Sequence, residues 1–190
     1  MSRVVLLVGA LALASCADDA ARSRCAAVPD GDRFELVHAS LWEVVGAADD
    51  PWAALRPSDL ACPADAAQAE DFAGRLTWGV DTTSCGHSTA RQPLLEDACA
   101  GETLFVWVWR EALTGPEGAT STLAVQLGDE RVIERVTPIP APPELLAITA
   151  TFGGDHQAGE PIWFHVRNHG ANSYQVIEVA RCVGACTIPP

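Results

Sequence analysis

Residues 103–110 read TLFVWVWR, and this stretch decides the fold class. Its β-branched and aromatic residues favour extended chain. It shows little alternation between apolar and polar positions, which is typical of a strand with both faces buried. We therefore expect a central strand of a sheet here.

Further strand patterns lie on both sides of this stretch. Leu76, Trp78 and Val80 alternate with small or polar residues, the period-2 pattern of a half-buried strand. Helical periodicity longer than two turns is absent outside the first 16 residues. The remaining expected strands are 34–38, 41–45, 120–127, 131–137, 145–152, 161–166 and 173–182. Short strands with a turn every ~8–12 residues predict an all-β, antiparallel β-sandwich of jelly-roll type.

The connections between these strands carry their own signals. Gly128-Asp129-Glu130 separates two strand patterns and predicts a hairpin. The proline cluster 138–143 favours an extended crossover between sheets. The long Ala- and Asp-rich connection 46–72 is expected to carry a helical turn at 64–72, capped by Asp65.

Composition excludes several classes of protein. The chain has 25 acidic residues against 12 basic ones and a net charge of −13. Binding to nucleic acid needs a basic footprint, so no nucleic-acid partner is expected. A hydrophobic fraction of 48% also argues against disorder. All the basic residues are arginine, a bias that a GC-rich genome explains.

Residues 1–16 read MSRVVLLVGALALASC, and this segment has the parts of an export signal in their usual order. Arg3 supplies the positive start, and an apolar run too short to span a bilayer follows. Leu13-Ala14-Ser15-Cys16 resembles the lipobox of bacterial lipoproteins. The resemblance implies that residues 1–15 are removed and that Cys16 is lipidated, which anchors the chain to a membrane.

This resemblance also implies a place in the cell and a domain plan. Residues 16–33 are small, polar and aperiodic, and we expect a flexible tether, followed by a single β-sandwich domain at 34–190. The expected location is the cell envelope. Ala17, which follows the lipidated residue, favours the outer membrane if the cell is Gram-negative, with the periplasmic or surface side left open.

Six cysteines remain after Cys16, an even number that favours disulfide staples in an exported protein. Cys182 and Cys186 are close enough in sequence for a local bridge. The hypothesis that follows pairs Cys62 with Cys85 and leaves Cys25 to join Cys99.

Residues 158–179 read AGEPIWFHVRNHGANSYQVIEV, and AGETLFVWVW occurs earlier at 100–109. Together these resemble the closing strands of galactose-binding-like jelly rolls. The blocks CPAD, VDT, QPL, PIP and NHGAN also resemble a group of bacterial envelope proteins of unknown activity. The first resemblance implies a sandwich that often binds carbohydrate through exposed aromatic residues.

Trp107 and Trp109 share one face of their expected strand, with Arg110 at its end. They are the candidates for a sugar- or peptide-binding groove, with core packing as the alternative. His169 and Asn172 in the turn near the last strand complete the candidate ligand-binding set. Asn168 and Asn172 can instead stabilise that turn through side-chain-to-backbone hydrogen bonds.

Enzymatic and metal-binding signals are weaker. Gly86-His87-Ser88-Thr89-Ala90 imitates the start of a nucleophile elbow, but its last glycine is replaced and no helix follows. His165 and His169, joined by His38, His87 or His156, could form a copper or zinc site, but histidines four apart on a strand lie about 13 Å apart. We therefore expect no catalytic residue, no metal and no cofactor.

The sequence thus predicts a lipid-anchored envelope protein whose single sandwich domain is a non-enzymatic binding or structural module. A carbohydrate-binding module is one alternative, and an envelope enzyme or metal-binding protein is the other. The expected partners are a membrane, through the anchor, and a carbohydrate or another envelope protein.

Overall fold

The computed structural model describes residues 31–58, 60, 62–168, 170–183 and 186. The lipobox, most of the expected tether, Cys25 and His169 lie outside these residues. No helix in the described ranges is long and apolar enough to cross a membrane.

Eleven strands make up the described fold, together with short 3-10 helices at Ala39–Leu41 and Ala53–Leu55. The strands are β1 (Arg33–Glu35), β2 (Glu43–Val44), β3 (Ala67–Phe72), β4 (Arg75–Asp81), β5 (His87–Pro93), β6 (Thr103–Arg110), β7 (Thr120–Leu127), β8 (Glu130–Pro138), β9 (Glu144–Thr151), β10 (Pro161–Asn168) and β11 (Ser173–Cys182).

These strands form two sheets, and within each sheet all neighbouring strands are antiparallel. Sheet A has the order β3-β4-β11-β6-β9, and β1 also pairs with β11. Sheet B has the order β2-β5-β10-β7-β8. The expected antiparallel β-sandwich is confirmed, and β6 is an interior strand of sheet A.

The core lies between the sheets and follows from the period-2 pattern of the central strands. In β6, Leu104, Val106 and Val108 point inward, and Ile162, Phe164 and Val166 of β10 meet them from the other sheet. Side chains at odd positions of β6 and β10 therefore occupy the outer faces.

The expected hairpin and crossover are confirmed. Strands β7 and β8 pair directly across the turn at Gly128, whose φ is +49°. Strand β8 belongs to sheet B and β9 to sheet A, so the prolines at 138–143 carry the chain between sheets.

One expectation about the first half of the chain is wrong, and one strand there was not expected. Residues 67–72 form strand β3, where a helical turn was expected, because β4 supplies a continuous set of backbone partners for them. Residues 87–93 form strand β5, which the sequence pattern does not reveal.

Disulfides staple the sandwich as expected at two places. Cys62 pairs with Cys85, and Cys182 pairs with Cys186. Cys99 is also disulfide-bonded. Its expected partner Cys25 lies outside the described residues.

Phe164 tests the core directly, because its ring is 1% exposed and lies edge-on to Trp42 at 6.3 Å between centroids. We expect Phe164→Ala to lower the free energy of unfolding by about 3–5 kcal/mol, through lost burial and the cavity left behind. Urea unfolding of the disulfide-intact protein measures this change.

Val136→Ala is the control, because Val136 is 55% exposed on β8. It should change stability by no more than about 0.5 kcal/mol. Equal losses for the two variants would contradict the assignment of Phe164 to the core.

Candidate functional site

The outer face of sheet A carries a group of aromatic side chains. Trp107 and Trp109 are partly exposed there, not buried in the core. Phe72, at the end of β3, stacks on Trp109 with 6.5 Å between ring centroids. We call Phe72, Trp107 and Trp109 the aromatic face.

Polar groups lie beside the aromatic face on the neighbouring strands. Gln175 is the register partner of Trp109, and its amide donates a hydrogen bond to the Glu70 carboxylate. The Gln175 carbonyl accepts from the Thr77 hydroxyl at 2.9 Å. A Cβ at Gly79 would lie 2.0 Å from the Glu70 carboxylate, so this glycine leaves the space in which Glu70 and Gln175 meet.

Glu178 is the register partner of Trp107 and lies at a β-bulge in β11. Its carboxylate pairs with Arg33 at 2.6 Å and lies 3.6 Å from Arg75. A cavity of about 200 Å³ opens next to it, lined in part by Arg75, Glu35 and Trp42. The aromatic face is thus bordered by charged groups already held in position.

Arg110, which belongs to the expected ligand-binding set, does not lie on this face, and His169 of that set lies outside the described residues. Arg110 is adjacent to Trp109, so it points to the opposite side of the strand, where it is 2% exposed. Its guanidinium donates to the Pro142 carbonyl and to Glu144, both at 3.0 Å. Arg110 therefore closes the edge of the core, and the expectation that it lines a groove with the tryptophans is wrong.

The asparagines of the turn before β11 are buried. Asn168 donates from its side chain to the Thr82 hydroxyl at 2.9 Å and to the Gly170 carbonyl at 2.8 Å, the turn-stabilising role expected of it. Asn172 is 5% exposed, and its backbone carbonyl accepts from Thr82. Neither asparagine is placed to meet a ligand at the tryptophans.

Sheet B differs because a segment of the chain covers its outer face. We call residues 45–56 the strap. Val45 and Trp52 of the strap form a small apolar cluster with Ala124 and Trp163 of the sheet. The Trp52 ring stacks on His165 at 4.5 Å between centroids, with 8° between the planes.

A buried polar network joins the strap to the sheet. One Asp50 carboxylate oxygen is 2.8 Å from His87 Nε2, and the other accepts from the Thr89 hydroxyl at 2.9 Å. The Thr89 oxygen is in turn 2.8 Å from His165 Nδ1. The Trp52 backbone N–H also donates to Asp50, and the Arg56 guanidinium lies 3.6 Å away.

This environment moves two pKa values. Burial raises the pKa of Asp50, but hydrogen bonds from His87, the Trp52 backbone and Thr89 outweigh burial, so the pKa lies below its ordinary value. Burial, and then repulsion by His87, lowers the pKa of His165 to about 3. Asp50 is therefore ionised and His165 neutral at physiological pH.

Sequence reasoning missed this network. The sequence offers Thr89 only within an imitation nucleophile motif and His87 also as a candidate metal ligand beside His165, and no motif singles out Asp50. The available signal was the even spacing of His87, Thr89 and Arg91, which places polar residues on one face of a strand.

Neither a protein-family model nor a curated protein sequence matches the chain. Among solved structures, it is similar to the N-terminal cellulose-binding domain of Cellulomonas fimi β-1,4-glucanase C, with 13% identity over 86% of this chain and 100% of that one and a TM-score of 0.46. It is also similar to the K3 adhesin domain of Lys-gingipain from Porphyromonas gingivalis, with 14% identity over 80% of this chain and 98% of that one and a TM-score of 0.45. Likeness of this degree does not identify a shared function.

Tyr174 gives a test of the packing beside Arg110, because it is the chain's one tyrosine and is 1% exposed. Burial raises the pKa of its hydroxyl, partly offset by the hydrogen bond with Ser121. We expect absorbance titration of the folded protein to give a midpoint above 10, against about 10 after unfolding.

The same shift predicts a loss of stability as pH rises above 10. The unfolded phenol releases its proton there while the folded one keeps it, so deprotonation favours the unfolded state. The absence of lysine makes this range simple to interpret, and Tyr174→Phe should remove the dependence. A midpoint at or below 10 in protein that circular dichroism shows to be folded would contradict the prediction.

Proposed function

We propose that the chain is a non-enzymatic binding module of the cell envelope that binds carbohydrate on its aromatic face. The observation that carries the proposal is the partial exposure of Trp107 and Trp109 on the outer side of sheet A. Aromatic rings left at a surface can stack on the apolar C–H face of a sugar, and a site of this kind needs only a few polar groups beside them.

The polar groups needed for sugar hydroxyls are present on the same face. Glu70 and Glu178 offer carboxylate oxygens as acceptors, and the buried Gln175 amide holds the Glu70 carboxylate in position. Their positions are held by Thr77 and by arginines, so little side-chain freedom would be lost on binding. Because these side chains are already held in position, the proposed binding site is preformed.

The contrast between the two sheets supports the choice of face. The strap covers Trp163 and His165 on sheet B, leaving them 8% and 0% exposed. On sheet A, exposed residues of the edge strand β9 continue the surface beyond the tryptophans, with Leu145 47% exposed. An extended ligand such as a polysaccharide chain could therefore lie across β11, β6 and β9.

Removal of either tryptophan tests the proposal. We expect Trp107→Ala and Trp109→Ala each to weaken binding to the recognised polysaccharide by about tenfold or more, because a central aromatic contact is worth about 2 kcal/mol. Affinity electrophoresis against cellulose derivatives, xylan, β-glucans and solubilised peptidoglycan identifies the ligand, and calorimetry then measures the affinity.

The control for this experiment is Val136→Ala, which alters an exposed apolar residue on sheet B. It should bind as the unaltered protein does. The proposal fails if no polysaccharide in the panel binds, or if the tryptophan variants remain folded and bind with undiminished affinity.

We further propose that Cys16 carries the lipid that holds this module at a membrane, with the outer membrane favoured in a Gram-negative cell. The lipobox-like residues Leu13–Cys16 support this proposal. The 16 residues between Cys16 and β1 would let the domain stand away from anionic lipid, which the chain's net charge of −13 also favours.

Cys16→Ser tests the anchor in an expressing bacterium. We expect the variant to lose incorporation of an alkyne-labelled fatty acid and to leave the membrane fraction, since the thiol that would carry the lipid is removed. Cys25→Ser is the matched control and should keep both properties. Labelling that persists in Cys16→Ser would contradict the anchor and leave the proposed carbohydrate site untouched.

A further inference from the structure

The carboxylates on the outer face of sheet A differ in how their charge is balanced. Glu178 lies 2.6 Å from Arg33 and 3.6 Å from Arg75. Glu70 forms no ion pair within the described part of the chain, and its carboxylate is held by the neutral amide of Gln175 instead. The negative charge of Glu70 therefore has no matching cation in the folded domain.

The Glu70 side chain extends across β4 toward the aromatic face. It passes over Gly79, where an added Cβ would lie 2.0 Å from Glu70 Oε1. Gln175, which donates to this carboxylate, is the register partner of Gly79 on one side and of Trp109 on the other. Phe72 follows Glu70 by two residues on the same face of β3 and stacks on Trp109. The carboxylate and these two rings thus border one patch of surface.

Both kinds of group on this patch attract positive charge. The faces of aromatic rings carry the negative part of a quadrupole, so a cation placed over them is stabilised. A carboxylate without a counter-ion forms its strongest hydrogen bond with a charged donor such as an ammonium group. The chain's net charge of −13 also attracts cationic ligands from a distance. A neutral sugar uses only part of this preference.

We propose that the aromatic face recognises a saccharide with free, protonated amines, such as a polymer of de-N-acetylated amino sugars. An ammonium group of the ligand donates to the Glu70 carboxylate while a sugar ring lies on Trp109. The inference rests on the proposed carbohydrate-binding function and names the class of its ligand.

Arg75 is the basic residue whose position bears on this inference, because it is the register partner of Phe72. Its guanidinium lies 3.4 Å from Glu35 and 3.6 Å from Glu178. Two carboxylates thus offset its positive charge, so it opposes an ammonium group beside Glu70 only weakly.

A set of matched ligands tests the inference on the unaltered protein. Hexamers of β-1,4-linked glucosamine, N-acetylglucosamine and glucose share one backbone and differ only in the group at carbon 2. Calorimetry at mildly acidic pH, where the free amines are protonated, compares them. We expect the glucosamine hexamer to bind about tenfold or more tightly than either neutral hexamer, because it adds a charge-assisted hydrogen bond. Added salt should reduce this advantage.

Two variants assign the preference to Glu70. Glu70→Gln removes the charge and keeps the shape and an acceptor oxygen, so the glucosamine hexamer should bind it no better than the glucose hexamer does. Gly79→Ala leaves every charge in place, but its methyl group would take the position of the Glu70 carboxylate. It should therefore reduce the same preference.

Glu134→Gln is the matched control, because it makes the same change in net charge at an exposed carboxylate on β8 of sheet B. It should keep the preference for the glucosamine hexamer. Hexalysine is the matched control ligand, since it carries as many positive charges without a sugar face. It should bind the unaltered protein far more weakly than the glucosamine hexamer.

Three outcomes would overturn the inference: equal affinity for the three hexamers, the same loss in Glu134→Gln as in Glu70→Gln, or hexalysine binding as tight as that of the amino sugar. The last two would mean that general attraction to an acidic protein accounts for the binding. The broader carbohydrate proposal is tested separately by the polysaccharide panel. A neutral glycan bound through Trp107 and Trp109, with no gain from the amine, would leave that proposal standing and remove only this inference.

Discussion

The buried carboxylate of Asp50 is the interaction that organises one side of this molecule. A carboxylate removed from water is tolerated only when its oxygens are matched by donors, because the lost hydration is worth several kcal/mol. His87 and Thr89 on β5 and the Trp52 backbone supply those donors. Satisfying this one group therefore requires the strap to lie across sheet B, and it positions the Trp52 ring against His165.

The strap makes the two outer faces of the sandwich unlike each other. On sheet B, stacked rings and a closed polar network replace solvent, and Trp52 and Trp163 become buried. On sheet A, Trp107 and Trp109 stay partly exposed among ordered polar groups. The candidate carbohydrate site follows from this asymmetry, because one face is left for a ligand outside the protein and the strap closes the other.

Elements with a strong apolar pattern could be predicted from sequence, and those with a polar pattern could not. Strand β11 begins and ends at the expected residues, and β6 is interior as expected. Strand β5 went unrecognised because Ala90 is its one apolar core residue and its outward histidine and threonine are matched by polar partners instead of water. Residues 67–72 favoured a helical turn locally, but hydrogen bonding to β4 outweighed that preference.

The sequence by itself determined the sandwich class, the β7–β8 hairpin, the proline crossover and the local Cys182–Cys186 bridge, because each depends on residues close together in the chain. Only the tertiary structure decided which outer face is covered, and that Arg110 belongs to the core edge while its neighbour Trp109 faces solvent. It also decided that Asp50, His87 and His165 meet. The sequence of a strand shows which of its faces is apolar and which is polar. Strand register and the path of the strap determine which side chains those faces contact.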